Sequence, residues 1–303
     1  MRRRQRRGHD VLIVGGGIAG LSCAQHAARL GLNVACFEQS ELFGGAVANV
    51  GKLDGFPSAQ PVAGVELANS LMEDCRALGV DIVTAPAEGL ELVGPQKSVS
   101  AGGQAYPGRQ IVIATGTRLR NLGVPGEEKL TGRGVSQCAF CDAGLYRDDP
   151  VVVVGGGDAA LQEALHLAQF ASSVTMLVRG ASLRAQRSYV LQASDDPKFS
   201  FRWNTQVEAI LGENTVEGLR IATDGNSEDL ACAGVFVFIG GAPNSDALPP
   251  SLERDAEGYL LTHARLETSE PGVFAIGAVR AGYGGQLVQA AAEGVAAAQA
   301  LAE

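Results

Sequence analysis

Val11 to Glu38 reads VLIVGGGIAGLSCAQHAARLGLNVACFE and, at an offset of 140 positions, Val151 to Val178 reads VVVVGGGDAALQEALHLAQFASSVTMLV. Eleven of these 28 aligned pairs are identical, among them all three glycines and the pair His26 and His166. Each copy opens with a continuous apolar run, as expected of a parallel strand buried on both faces. A glycine turn follows, then an apolar stripe at helical spacing, then a second strand. This is the βαβ unit of dinucleotide-binding folds, present twice. It predicts an α/β protein with two Rossmann-like domains.

The residue types at each turn follow from what a nucleotide needs. In the first copy Gly15 makes the turn, Gly17 lets the backbone reach a pyrophosphate, and Gly20 lets helix pack on strand. Gly155, Gly157 and Ala160 take those places in the second copy, where Asp158 follows the turn. In both, the helix N-terminus offers unpaired N–H groups and a positive dipole end to phosphate. The strand ends differ. Glu38 closes the first copy with a carboxylate able to accept hydrogen bonds from an adenosine ribose, as for FAD or NAD(H). Val178 stands at the matching position, followed by Arg179 and, further on, Arg184, which suit a 2′-phosphate better than a 2′-hydroxyl. Different ligands are therefore expected. His26 and His166 read as packing residues, since neither has a partner motif for a ligand or a base.

At 303 residues and 46% hydrophobic content the chain is long enough for two buried cores. Lysine and arginine total 24 against 33 acids, a net charge of −9, which argues against nucleic acid as a partner. The exception is Met1–Arg7, a basic arm that reads as solvated, with contact to an anionic partner as the second reading. No apolar run approaches the ~20 residues of a membrane span, and no signal peptide is read, so a soluble, cytoplasmic protein is expected. The 40 glycines show no triplet period and so serve turns and close approaches, not a collagen helix.

Six cysteines stand at positions 23, 36, 75, 138, 141 and 232, which is not a secreted disulfide framework. Cys138-Ala139-Phe140-Cys141-Asp142 holds the one close pair. Two cysteines at this spacing close a small disulfide across the first turn of a helix, whose dipole and free N–H groups favour a thiolate. Asp142 is adjacent and suited to move a proton during exchange. Structural zinc usually takes four ligands, and neither a second Cys-x-x-Cys nor a His-x₃-His is present, so a redox dithiol is favoured over a metal site. The other cysteines read as structural.

The chain also carries Gly15-Gly16-Gly17-Ile18-Ala19-Gly20, Gly44-Gly45, Ala114-Thr115-Gly116, Gly155-Gly156-Gly157-Asp158 and Trp203-Asn204-Thr205 in order. Val237-Phe238-Ile239-Gly240 with Pro243-Asn244, and Pro271-Gly272-Val273-Phe274-Ala275, follow. With the cysteine motif these span nearly the whole length, and the chain resembles the low-molecular-weight thioredoxin reductases. The resemblance implies a split FAD domain, residues 8–117 with 247–303, into which residues 118–246 insert a second nucleotide domain carrying the cysteines. It implies FAD contacts from Gly15, Gly16, Gly17, Ala19, Gly20, Glu38, Gln39, Gly44, Gly45, Thr115, Gly116, Gly277, Ala278, Gln286 and Leu287. For NADPH it implies Gly155, Gly157, Asp158, Ala160, Arg179 and Arg184. By motif position Cys141 faces the flavin, Cys138 attacks the substrate disulfide, and Asp142 is the general acid. A homodimer and a thioredoxin-like partner are implied as well.

Three stretches depart from the family pattern. The NADPH mark His-Arg-Arg-x-x-x-Arg is Val178-Arg179-Gly180-Ala181-Ser182-Leu183-Arg184, the late Gly-Asp is Gly277-Ala278, and Tyr-Arg-Gln becomes Tyr283-Gly284-Gly285-Gln286. A missing charge-assisted hydrogen bond to phosphate weakens binding by about 1.5–3 kcal/mol. The donor is thus open between NADPH, the first choice, and ferredoxin or a second flavin held by the second copy. The dithiol can run as reductase or oxidase. From another class, a flavin-bound redox sensor would signal through the same disulfide without turnover.

Overall fold

The run Val11–Val14 forms most of the strand His9–Val14, paired in parallel with Val34–Glu38 on one side and Gln104–Ile113 on the other. In this computed structural model, which describes residues 8–51, 53, 56–57 and 62–303, that strand is central to a seven-stranded sheet. The basic arm at residues 1–7 lies outside the described residues. Asp81–Thr84 adds to Val34–Glu38, and Val273–Ala275 pairs with Ile111–Ile113. The first half of Gln104–Ile113 instead runs antiparallel to Lys97–Ala101, which pairs with Ala87–Glu91. The hairpin turns on Gly102 and Gly103, with φ of +56° and +72°, as a two-residue type I′ connection requires.

The continuous apolar run is explained by burial on both faces. Val11 and Ile13 join one core with the helices Ile18–Arg29 and Leu287–Leu301, while Leu12 and Val14 join another with Phe37 and Ile111. Each such side chain contributes about 1.5–3 kcal/mol. The last helix lies directly on the first. A Cβ on Gly294 would come 2.5 Å from the Ala19 carbonyl oxygen and 2.8 Å from the Cys23 nitrogen, so glycine permits the contact.

The chain divides into two compact units, Met1–Arg118 with Ala242–Glu303, and Leu119–Gly241. The return crossing precedes Ala242, earlier than the expected boundary after Asp246. Asn244 is the reason: its N–H donates to Gly116 O and its side-chain amide to Thr115 O, each at 2.9 Å, while Asp246 pairs with Arg118 at 2.7 Å.

The second unit repeats the first motif. Its parallel sheet runs Phe199–Arg202, Ser173–Leu177, Pro150–Val154, Gly234–Val237, Val135–Ser136, with the helix Asp158–Leu167 after the glycine turn. An antiparallel sheet of Thr205–Leu211, Gly218–Thr223 and Asn226–Ala231 accompanies it. The α/β, doubly Rossmann-like class read from the repeat is the one observed. Among the described residues no helix is long and apolar enough to cross a membrane.

Candidate functional site

In the first unit the glycine turns converge beyond the C-terminal ends of the parallel strands, where open α/β sheets bind ligands. Gly15 leaves its strand at φ +116° and donates to Phe37 O at 2.8 Å. A Cβ on Gly15 would strike the Ala114 carbonyl, next to Thr115 and Gly116, and one on Gly20 would strike the Gly15 carbonyl. Gly16 N–H donates to Glu38 Oε2 at 2.7 Å, and Glu38 Oε1 accepts from Ser40 N–H at 3.0 Å. Gly44, which with Gly45 has positive φ, donates to Gly16 O at 2.9 Å and bridges to Gly17. A Cβ on Gly277 would lie 2.9 Å from that of Ala19, which brings Gly277 and its neighbour Ala278 to the same place. Leu287 opens the last helix on the core shared with Ile18 and Ala19, after Gln286 at the N-cap. Gln39 is exposed beyond Glu38.

The helix Ile18–Arg29 has neither a side-chain cap nor an acid in its first turn. Its N–H groups and dipole are thus unopposed, and with the glycine cradle and Glu38 they fit the pyrophosphate and ribose of a dinucleotide. One supporting residue escaped the sequence reading. Glu293, 7% exposed, accepts from Gly277 N–H at 2.7 Å and Gln289 Nε2 at 2.8 Å and pairs with Arg280. It anchors the Gly277 turn. Burial, with the Glu293 charge, pushes the nearby Tyr283 hydroxyl up to about 12.

The second turn has the same backbone and other charges. Gly155 takes φ +147° and donates to Leu177 O at 3.0 Å, and an added Cβ there would lie 2.9 Å from that of Ala160. Gly157 is the N-cap of the following helix. Asp158 accepts from Gln186 twice, through N–H at 2.6 Å and Nε2 at 2.9 Å, and Arg184 N–H donates to Gly156 O at 2.7 Å. The segment after the second strand is thereby folded against the turn. Val178 is buried, packing toward Gly156. Arg179 and Arg184 are exposed and make no ion pair among the described residues, and the same holds for Arg187, which the sequence reading passed over. Beside them lies a cavity of about 350 Å³ walled partly by Phe201 and Trp203, whose rings stack at 5.3 Å.

Cys138 and Cys141 form a disulfide, with Cα atoms 5.3 Å apart. Cys138 is the N-cap of the short helix Ala139–Asp142, and its Sγ accepts the Cys141 N–H at 3.1 Å. The helix N–H groups are not all free for sulfur, as the sequence reading had them. Ala139 donates instead to Glu163 Oε2 at 2.8 Å. Asp142 accepts the Ser136 hydroxyl at 2.6 Å, and Ser136 Oγ accepts Cys138 N–H at 3.0 Å. Cys141 is exposed and Cys138 half-buried. His166 packs between the rings of Phe140 and Phe170, at 5.7 and 5.5 Å, and burial lowers its pKa. The remaining cysteines are buried thiols. Burial pushes Cys23 and Cys232 up to about 12 and Cys75 to about 11, so they are inert near neutral pH.

Two dinucleotide-binding folds in one chain, one bearing a helix-borne Cys-x-x-Cys disulfide, define an enzyme class, the disulfide oxidoreductases. Residues 9–294 match the family model described as pyridine nucleotide-disulphide oxidoreductase. The thioredoxin reductase of Treponema pallidum is 39% identical over 300 residues, covering 97% of this chain and 96% of its own. Among solved structures, Lactococcus lactis thioredoxin reductase gives a TM-score of 0.93 at 32% identity, covering 97% of each chain. That of T. acidophilum gives 0.91 at 28% identity, covering 98% of each. The chain belongs to the pyridine nucleotide-disulphide oxidoreductase family and, within it, to the low-molecular-weight thioredoxin reductases.

Proposed function

We propose that this chain is a FAD-dependent thioredoxin-reductase-like enzyme, taking an electron pair from NADPH and delivering it through Cys138–Cys141 to a disulfide on a thioredoxin-like protein. The observation that carries this reading is the disulfide at the start of a short helix, with the Cys141 N–H aimed at Cys138 Sγ. FAD, when bound, supplies a carrier that accepts a hydride and releases the electron pair to sulfur. Gly15–Gly20 and Glu38 would hold its pyrophosphate and ribose, and the Gly277 turn and the start of the last helix would face the rest of it. Arg179 and Arg184, exposed and unpaired among the described residues, favour the 2′-phosphate of NADPH. The Phe201–Trp203 cavity offers a flat aromatic wall for a planar ring.

Two electrons and two protons open the Cys138–Cys141 bond to a dithiol. The Cys138 thiolate, stabilised by its N–H donor, attacks the partner's disulfide, and a mixed disulfide forms as one partner sulfur leaves. Asp142, oriented by Ser136, hands the leaving sulfur its proton. Cys141 then attacks Cys138 Sγ, the second partner thiol departs, and the internal disulfide is restored. Phe140 and Leu145, 55% and 76% exposed, give this helix an apolar rim suited to docking a protein partner. The working form proposed is a cytoplasmic homodimer, and sedimentation of the purified protein reports its assembly.

Anaerobic addition of NADPH to the purified yellow protein tests the donor: rapid bleaching of the flavin absorbance is expected, and none, with bleaching by reduced ferredoxin, would fail it. Replacing Cys138 or Cys141 by serine tests the acceptor. Each change is expected to lower disulfide turnover at least about a thousandfold, as for loss of an essential nucleophile. A colourless protein, or unchanged turnover in both variants, would end the proposal.

A further inference from the structure

The helix Ala139–Asp142 has three N–H groups without an intrahelical acceptor, those of Ala139, Phe140 and Cys141, since the first helical bond runs from Asp142 N–H to Cys138 O at 3.2 Å. The Cys141 N–H goes to sulfur. The Ala139 N–H goes to a carboxylate, Glu163, reaching across from the helix Asp158–Leu167. Glu163 is half-buried and, among the described residues, pairs with no lysine or arginine. A carboxylate at a helix start ordinarily complements the dipole. At this helix it competes with a thiolate for the same positive end.

We propose that Glu163 is a positioning residue of the dithiol: by taking the Ala139 N–H and placing a negative charge at the residue next to Cys138, it fixes the start of the short helix and restrains formation of the Cys138 thiolate. The inference rests on the dithiol reading above and adds to it the residue that tunes the pair. The ionisable groups facing the cysteines from the surrounding elements are consistent with this assignment. Asp142 is engaged by Ser136, His166 packs at a tilt on Phe140 and is disfavoured as a cation by burial, and burial raises the pKa of the Tyr146 hydroxyl, with the Asp142 charge adding to it. Burial likewise pushes the Glu163 carboxyl up, against the pull of the backbone N–H groups at the helix start. Among the described residues no neighbouring cation offsets its charge.

The sign follows. Removing the charge while keeping an acceptor lowers the cost of a thiolate, and so favours the dithiol over the disulfide. Glu163→Gln is nearly isosteric and still accepts from the helix, so it isolates the charge. Glu163→Asp keeps the charge on a shorter arm.

The test is alkylation of Cys138 in the reduced holoprotein as a function of pH, followed by peptide mass, together with the dithiol–disulfide equilibrium in glutathione buffers. For Glu163→Gln the alkylation midpoint is expected to fall, with about three- to tenfold more thiolate at a fixed pH below it, as a partly screened charge at this range predicts. The glutathione equilibrium is expected to move toward the dithiol by up to the same factor. Glu163→Asp is expected to stay closer to the parent than Glu163→Gln. A Gln variant with the parent's profile and equilibrium overturns the proposal, as does a shift toward less thiolate, or an Asp variant shifted as far as the Gln variant. A parent protein whose Cys138 never titrates or reacts would instead fail the dithiol reading, and this inference with it.

Discussion

After Gly15–Gly17 the helix begins Ile18, Ala19, Gly20, with no side-chain cap and no acid in its first turn, and the adjoining strand ends on Glu38. After Gly155–Gly157 the helix begins with Asp158, its carboxylate bound to Gln186, and the adjoining strand leads into buried Val178 and exposed Arg179. The backbones match, down to a first glycine that no Cβ could replace without striking the next strand's carbonyl. What differs is where charge stands. The first turn keeps its positive helix end open and puts its carboxylate at the end of the adjoining strand. The second carries a carboxylate at the helix start and its free cations further along the chain. One backbone geometry thus occurs with two charge patterns, as the proposed pairing of a held FAD with a visiting NADPH requires.

The sharpest way to break that comparison is to damage both turns alike. Gly15→Ala and Gly155→Ala each force a Cβ into backbone at positive φ, at a cost of about 3 kcal/mol or more. Gly15→Ala is expected to purify with little flavin, by visible absorbance. Gly155→Ala is expected to keep its colour and lose at least about a hundredfold in the rate of bleaching by NADPH. Both variants losing flavin equally would mean that the turns are not specialised.

Glu38→Gln removes the charge from two backbone N–H bonds as well as from the ribose position. Flavin affinity, read by ultrafiltration of the yellow protein, is expected to fall about ten- to hundredfold. In the second turn, Arg179→Ala with Arg184→Ala is expected to raise the NADPH KM by a similar factor at unchanged kcat. The response to NADH, which lacks the 2′-phosphate, stays the same. Equal losses with both nucleotides would remove the phosphate role.

The smallest effect is a gain. Gly180 is exposed, has no positive φ, and an added Cβ there meets nothing within 4 Å. Gly180→Arg supplies a further cation and is expected to tighten NADPH about three- to tenfold in stopped-flow titration, as one exposed charge-assisted hydrogen bond would.

The repeat and the cysteine pair were legible in the sequence because each is written in adjacent residues. An apolar run, three glycines and a helical stripe need no knowledge of the rest of the chain. Glu163 was not legible, since its partner Ala139 lies 24 positions away and the contact exists only once two helices are packed. Glu293 escaped for the same reason: an acid in an alanine-rich helix reads as solvent-facing until Arg280 and the Gly277 turn are brought to it. The boundary near Ala242 was misplaced because Asn244 belongs to the unit whose Thr115 it bonds, a match between distant loops that composition does not mark. Arg187 was passed over because it sits outside the family's spaced arginines, although it too is exposed and unpaired among the described residues.

The seat of the last helix on the first, allowed by Gly294, bears on how the chain is made. Ile18–Arg29 leaves the ribosome well before the surface that covers it, Leu287–Leu301, is translated. Leu119–Gly241 is finished well before then and is free to fold on its own contacts. During synthesis the first unit therefore waits, part of its apolar surface bare, while Leu119–Gly241 is already whole. A nascent chain stalled short of position 287 is a natural client for a chaperone.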